Sequence, residues 1–302
     1  MADVHGILLL DKPLRMSSAQ AVARAKRLFH ANKAGHTGSL DPLATGMLPI
    51  CFGEATKFGS LLLDADKSYR LTVRLGERTP SADRESEVCE RRDLPPLDEA
   101  LLASGLASFP REYPQTPPMH SALKQDGKPL YEYARAGIVR ERASRLILIH
   151  DMRLLGWDTP DLKFDVRCTK GAYMRVLAED LAAHLGTIGY LADLRRLGVD
   201  PFMGEASLAF DYLEGLEGRQ LPACLLPVDA ALASTPRYDL FEGGVAALRQ
   251  GQSVDLGPEA ARNASGTVRI YAAGLGFLGL GEINPAGRLV PLRLISAHAN
   301  RA

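Results

Sequence analysis

The chain has 302 residues, 46% of them apolar, and 36 basic residues balance 36 acidic ones for a formal net charge of zero. That size suits a large core joined to a small second domain better than one undivided domain, and a neutral total argues on its face against a polyanionic partner. No stretch approaches the roughly 18 uncharged apolar residues of a membrane span, and the opening Met1-Ala-Asp-Val lacks the basic stretch and apolar run of a secretory signal, so a soluble, cytoplasmic protein is expected.

In chain order, Gly6-Ile-Leu-Leu-Leu10 is an unbroken apolar run ended by Pro13, which predicts a buried strand. Ser17-Ser-Ala-Gln20 has the spacing of a capping box, and Val22, Ala25, Leu28 and Phe29 follow at helical period. A helix is therefore expected over 18–29, with Arg24 and Arg27 on its outer side. Residues 34–46 hold three glycines and Pro42 with no sustained period, the composition of a long loop, and long loops in compact domains tend to be functional. Tyr69-Arg-Leu-Thr-Val-Arg-Leu75 alternates strictly and places Tyr69, Leu71, Val73 and Leu75 on one face of a strand.

Residues 83–121 are rich in proline and charge and read as a connection over the surface with one short helix near 97–107. Strands are expected at 145–157 and 162–168, and a helix at 174–186 carries Val176, Leu177, Leu181 and Leu185 on one side, with Gly186 as its C-terminal cap. Beyond residue 236, short strands at 267–271, 277–283 and 289–295 alternate with glycines and suggest a small barrel-like β domain. Together these patterns predict an α+β chain built on a mostly antiparallel sheet, divided into domains at 1–235 and 236–302.

The neutral total hides local asymmetry. Between Lys12 and His36 stand Lys12, Arg15, Arg24, Lys26, Arg27 and Lys33 with no acid, and Lys124, Lys128, Arg135, Arg140, Arg142 and Arg145 outnumber the acids around them. A basic face able to meet phosphates is thus compatible with zero net charge. Neither G-x-x-x-x-G-K-[ST] nor G-x-G-x-x-G occurs, so no nucleotide cofactor is expected, and no G-x-S-x-G elbow supports a serine nucleophile. Cys51, Cys89, Cys168 and Cys224 lie far apart without C-x-x-C spacing and read as reduced structural residues, with no metal site. What remains is Asp41, a carboxylate in an aperiodic loop beside His36, Thr37 and Ser39. Before Pro42, a lone aspartate ordinarily starts a turn.

The wider context changes that reading. Residues 34–49, A-G-H-T-G-S-L-D-P-L-A-T-G-M-L-P, closely resemble the catalytic segment of the TruB family of tRNA pseudouridine synthases. The likeness extends through Gly6-Ile-Leu-Leu-Leu-Asp-Lys-Pro13, Gly53-Glu-Ala-Thr-Lys57, Lys67-Ser-Tyr-Arg70 and Pro118-Met-His-Ser-Ala-Leu-Lys124. It continues in Leu130-Tyr-Glu-Tyr-Ala-Arg135, Cys168-Thr-Lys-Gly-Ala-Tyr-Met-Arg175 and Leu194-Arg-Arg-Leu197. The resemblance implies a pseudouridine-synthase fold with a mixed, mostly antiparallel sheet and a central cleft, followed by a PUA-like RNA-binding domain. It also implies isomerisation of uridine 55 in the T-loop of tRNA, without cofactor or guide RNA, and help with tRNA folding; a monomer is expected.

On the same resemblance Asp41 is the catalytic carboxylate, acting as nucleophile at C1′ or C6 or as base at the 2′ position. Arg175 is its cationic partner, and Tyr69 stacks on the target base as a candidate proton donor or acceptor. Tyr173 and Leu194 line the uridine pocket, and His36 enters the T-loop. Residues 121–143 are the RNA-gripping insertion. Arg15 stands where the family usually has glycine, and His120 where it has tyrosine or phenylalanine, so the turn at Arg15 and the stacking at His120 are expected to differ.

Overall fold

An eight-stranded mixed sheet organises the first 235 residues of the computed structural model. The structure describes residues 4–121, 123–257 and 265–297. Residues 1–3, Ala122 of the 118–124 motif, and 258–264 and 298–302 of the expected second domain lie outside the described residues.

Across the sheet the strands run Gly6–Lys12, Ala44–Phe52, Gly189–Val199, Lys67–Leu75, Asp161–Cys168, Arg145–Asp158 and Glu112–Gln115. Neighbours are antiparallel except Gly189–Val199 on Ala44–Phe52, which is parallel through Leu194 and Ala44, Arg195 and Thr45, and Arg196 and Gly46. The eighth strand, Ala34–His36, pairs with the far end of Ala44–Phe52, through residues 50–52. The Ala44–Phe52 strand therefore shares its second edge between two partners, and residues 37–43 are the chain thrown across the gap between them. Its near-continuous burial is what a central strand covered on both faces requires. Lys67–Leu75 alternates as its sequence predicts, burying Tyr69, Leu71, Val73 and Leu75, but Lys67 shares that inner face.

The structure corrects the sequence reading in three places. Residues 34–46 are not one loop: Ala34–His36 and Ala44–Phe52 are strands, so only 37–43 lie outside the sheet. Short strands rich in glycine carry no local period, and their pairing comes from partners distant in sequence. Residues 83–121 include, besides the helix Glu99–Ser108 capped by Asp98, an edge strand Glu112–Gln115 on Arg145–Asp158. Pro114 lies in that strand, and an edge position tolerates its missing N–H. Finally, the basic stretch before His36 is partly spent inside the molecule. Lys12 is fully buried, its Nζ donating to the carbonyls of Pro13 (2.9 Å) and Met16 (2.6 Å). Arg24 grips Glu214 through two bonds of 2.8 and 2.7 Å and stacks 4.2 Å from the centre of the Phe210 ring. Arg15, Lys26, Arg27 and Lys33 remain exposed.

Two helices carry the expected caps. Ser17 and Gln20 close a capping box on helix Ser18–Leu28. Helix Met174–His184 packs on the sheet through Leu177, Ala178, Leu181 and Ala182. Gly186 ends it at φ +84°, and the Thr187 N–H returns to the Ala182 carbonyl at 3.0 Å.

Beyond residue 236, strands Arg237–Leu240, Gly266–Ala272, Gly276–Ile283, Arg288–Leu294 and Val254–Asp255 form a curled half-barrel sheet in that order. Helix Glu242–Arg249 contributes Val245 and Leu248 to its separate core. The sheet docks on the first part through Phe58, Leu232, Phe277 and Ile295. Beside that cluster, Asp229 takes hydrogen bonds from Arg269 (3.2 Å) and from the Tyr271 hydroxyl.

Candidate active site

The 37–43 loop is pinned from several sides. The Thr37 N–H bonds the Pro49 carbonyl (3.1 Å), the Ser18 hydroxyl both donates to the Leu40 carbonyl (3.0 Å) and accepts from its N–H (2.8 Å), and the Arg15 N–H reaches the Pro42 carbonyl (2.8 Å). Arg15 makes that contact in a left-handed conformation, φ +63°. The glycine-type turn is therefore kept despite the arginine, at a cost of order 1 kcal/mol.

Asp41 leaves 44% of its side chain exposed at the resulting bend, with Oδ2 3.1 Å from Arg175 Nη2. Arg175, in the first turn of helix Met174–His184, is only 5% exposed. Its Nη2 also donates to the His120 carbonyl (2.6 Å) and its Nη1 to the Ser81 carbonyl (3.2 Å), while Nε lies 3.8 Å from Asp83 Oδ2. One guanidinium thus stands between two carboxylates. Protein walls around Asp41 push its carboxyl above the usual aspartate range; Arg175 pulls it down, Asp83 pushes it up, and the buried Lys12 pulls it down.

Tyr69 is 7% exposed, and burial raises its hydroxyl pKa against the opposing influence of Arg196, its partner across the paired strands. Tyr173 caps the helix that carries Arg175, and its backbone is clamped by the Gln115 amide, N–H to Oε1 at 2.6 Å and carbonyl from Nε2 at 3.2 Å. Leu194 lies where the Gly189–Val199 strand pairs with both Ala44 and Leu71. Asp41, Tyr69, Tyr173, Arg175 and Leu194 line one cleft of about 370 Å³, together with Lys67 and Arg196. A wider groove of about 700 Å³ adjoins it at Leu63 and Gly171, with Arg145 and Lys170 in its wall.

His36 does not join them. It ends the Ala34–His36 strand at the far side of the loop, half-buried, with Nδ1 lacking a hydrogen-bond partner among the described residues. Burial and the nearby Arg196 charge lower its pKa. His120 is exposed, and its link to the site runs through its backbone carbonyl.

The structure adds groups that the sequence reading passed over: Asp83 behind Arg175, Lys67, and Arg196 beneath Tyr69. Arg196 left a usable signal, since two residues after Leu194 it occupies the same strand face, where a charge needs a reason. No cluster of His, Cys, Asp or Glu suited to a metal ion occurs among the described residues. All four cysteines are free; Cys51 and Cys168 are buried, which pushes each thiol up to about 12, whereas Cys89 is exposed and so is not a core residue.

Three family models match the chain: "TruB family pseudouridylate synthase (N terminal domain)" over residues 26–174, "tRNA pseudouridylate synthase B C-terminal domain" over 175–233, and "Pseudouridine synthase II TruB, C-terminal" over 236–295. A protein of Chromohalobacter salexigens named tRNA pseudouridine synthase B is 46% identical over 293 residues, covering 97% of this chain and 95% of the relative. One of the same name from Burkholderia mallei is 47% identical over 295 residues, covering 97% of each. Among solved structures, a chain of a Cbf5-Nop10-Gar1 complex superposes with a TM-score of 0.70 at 24% identity, over 97% of this chain and 84% of that one. A chain of an archaeal box H/ACA sRNP Nop10-Cbf5 complex gives 0.68 at 21%, over 97% and 86%. These two share the fold.

Proposed function

Since the chain belongs to the TruB family of pseudouridylate synthases, we propose that it isomerises uridine 55 in the T-loop of tRNA to pseudouridine, with Asp41 as the catalytic carboxylate. The observation that carries the site assignment is the Asp41–Arg175 pair at the mouth of a cleft walled by Tyr69, Tyr173 and Leu194. The reaction breaks N1–C1′, turns the detached base and joins C5 to C1′; the proton on C5 leaves and N1 gains one, so atoms and electrons balance within the nucleoside.

Each chemical route needs an ionised Asp41, as nucleophile at C1′ or C6 or as base at the 2′ position. Burial opposes that ionisation and Arg175 restores it, while also orienting the carboxylate. A flipped uracil loses its stacking neighbours, and the two tyrosines and Leu194 offer replacement contacts. His36, with a lowered pKa, presents a mostly neutral imidazole at the loop's far end, suited to wedging between bases rather than pairing with phosphate.

The enzyme works on this reading as a cytoplasmic monomer without guide RNA. Support for guide independence comes from the insertion at 121–143, a hairpin and the short helix Leu130–Arg135 bearing exposed Lys124, Lys128 and Arg135. The curled sheet after residue 236 serves as the PUA-like RNA-binding domain. Help with tRNA folding accompanies the chemistry.

Base-resolution mapping of tRNA treated with the pure protein tests the reading. Pseudouridine is expected at position 55 alone, and an isolated T-stem-loop should suffice as substrate. Asp41→Asn should bind tRNA within about threefold of the parent and form no product; turnover by that variant would remove Asp41 from the chemistry.

A further inference from the structure

Arg196 is 1% exposed, on the floor of the cleft, and forms no ion pair with a carboxylate among the described residues. Its Nε donates to the Met47 carbonyl (2.7 Å), its Nη2 to the Gly38 carbonyl (3.0 Å), and it stands opposite Tyr69 on the adjoining strand, both lining the cleft. Lys67 lies in the same floor, its Nζ held by the carbonyls of Leu62, Leu63 and Ala65. A buried cation without a counter-charge is an expensive way to fill space, and an apolar side chain of similar volume would cost less. The position therefore asks for a role that only the guanidinium can fill.

A guanidinium has donors and no acceptor. Tyr69 faces Arg196 across the paired strands and lines the same cleft; in any hydrogen bond between the two the phenol oxygen must accept, which leaves the phenol hydrogen free to be given elsewhere. Gly38 is three residues before Asp41, so the second contact ties the 37–43 loop to the Gly189–Val199 strand. We propose that Arg196 is a positioning residue of the active site: it fixes the Tyr69 hydroxyl as a hydrogen-bond donor toward the flipped base and holds the Asp41 loop by its Gly38 carbonyl. The uracil carbonyl oxygens are acceptors on which negative charge grows as N1–C1′ breaks, and a donor already aimed at one of them needs no reorganisation. This inference rests on the isomerase reading above.

The test measures single-turnover pseudouridine formation in a T-stem-loop by the full chain, for Arg196→Lys, Arg196→Met, Tyr69→Phe and the Lys/Phe double variant, with RNA affinity measured alongside. Each Arg196 variant should lose at least about tenfold in rate while its affinity changes by less than about threefold. In the Tyr69→Phe background the Arg196→Lys loss should shrink to the part carried by the loop, well below its value in the parent. Losses that multiply in full, or an unchanged rate in Arg196→Lys, overturn the proposal.

Should the Arg196 variants fail to fold, Tyr69→Phe alone keeps the question open to measurement, because it deletes one hydroxyl. The Arg196 guanidinium signal, assigned in ¹⁵N-edited spectra by its contact with Met47, should shift and exchange faster in Tyr69→Phe; an unchanged signal refutes the contact. That measurement needs no turnover, so failure of the isomerase reading, seen as no pseudouridine from the parent protein, is told apart from failure of this one.

Discussion

Asp41 sits at a balance point that a pH profile can read. Its carboxyl is pushed above the ordinary aspartate value by burial and by Asp83, and pulled back by Arg175 and Lys12. If the ionised form is required, activity falls as pH drops through that raised value, giving an acid limb in kcat/KM. Arg175→Met removes the main opposing charge and leaves burial and Asp83 in place, so the limb should move to higher pH, by about one unit or more. A limb that stays put or moves down would mean that Arg175 does not govern the carboxylate. At this scale the resemblance named Asp41, Arg175, Tyr69, Tyr173 and Leu194, and the fold places all five on one cleft. Asp83 was not legible, because a charge in a loop reads as surface until its burial is known; Arg196 left only its place two residues after Leu194 on the same strand face.

Among the elements, the parallel contact between Ala44–Phe52 and Gly189–Val199 holds the site together, since it sets the gap that the 37–43 loop bridges. Gly46 makes that contact possible. It has φ +98°, and a Cβ added there would meet the Arg196 carbonyl oxygen at 2.2 Å and its nitrogen at 2.9 Å, both backbone atoms with no room to yield. Gly46→Ala should therefore cost more than about 2 kcal/mol in urea unfolding and disturb Arg196 and the loop together. A stability within about 0.5 kcal/mol of the parent would show that the two strands can part without consequence. Regular elements were readable from period and caps, as in Lys67–Leu75 and Ser18–Leu28. Ala34–His36 and Glu112–Gln115 were not, because three or four residues carry too little pattern and owe their extension to a neighbour.

For the whole molecule, the decisive contact is the one joining the two sheets. Asp229 accepts from Arg269 and Tyr271 at the edge of the Phe58, Leu232, Phe277 and Ile295 cluster. Asp229→Ala leaves the guanidinium of Arg269, 19% exposed, without its carboxylate, at a cost of roughly 2 to 3 kcal/mol. Hydrogen exchange should then quicken in 266–294 while the eight-stranded sheet keeps its protection; equal change in both sheets would show that they unfold as one unit. By itself the sequence determined the α+β class, the periods of the longer elements and, through contiguous motifs, the family and the central carboxylate, because these are written in neighbouring residues. Only the tertiary structure decided which charges meet: Lys12 turned inward, Arg24 paired with Glu214 at the surface, His36 set apart from the cleft, and Arg196 placed opposite Tyr69. Burial and pairing of a charge depend on residues distant in sequence, and no local pattern encodes them.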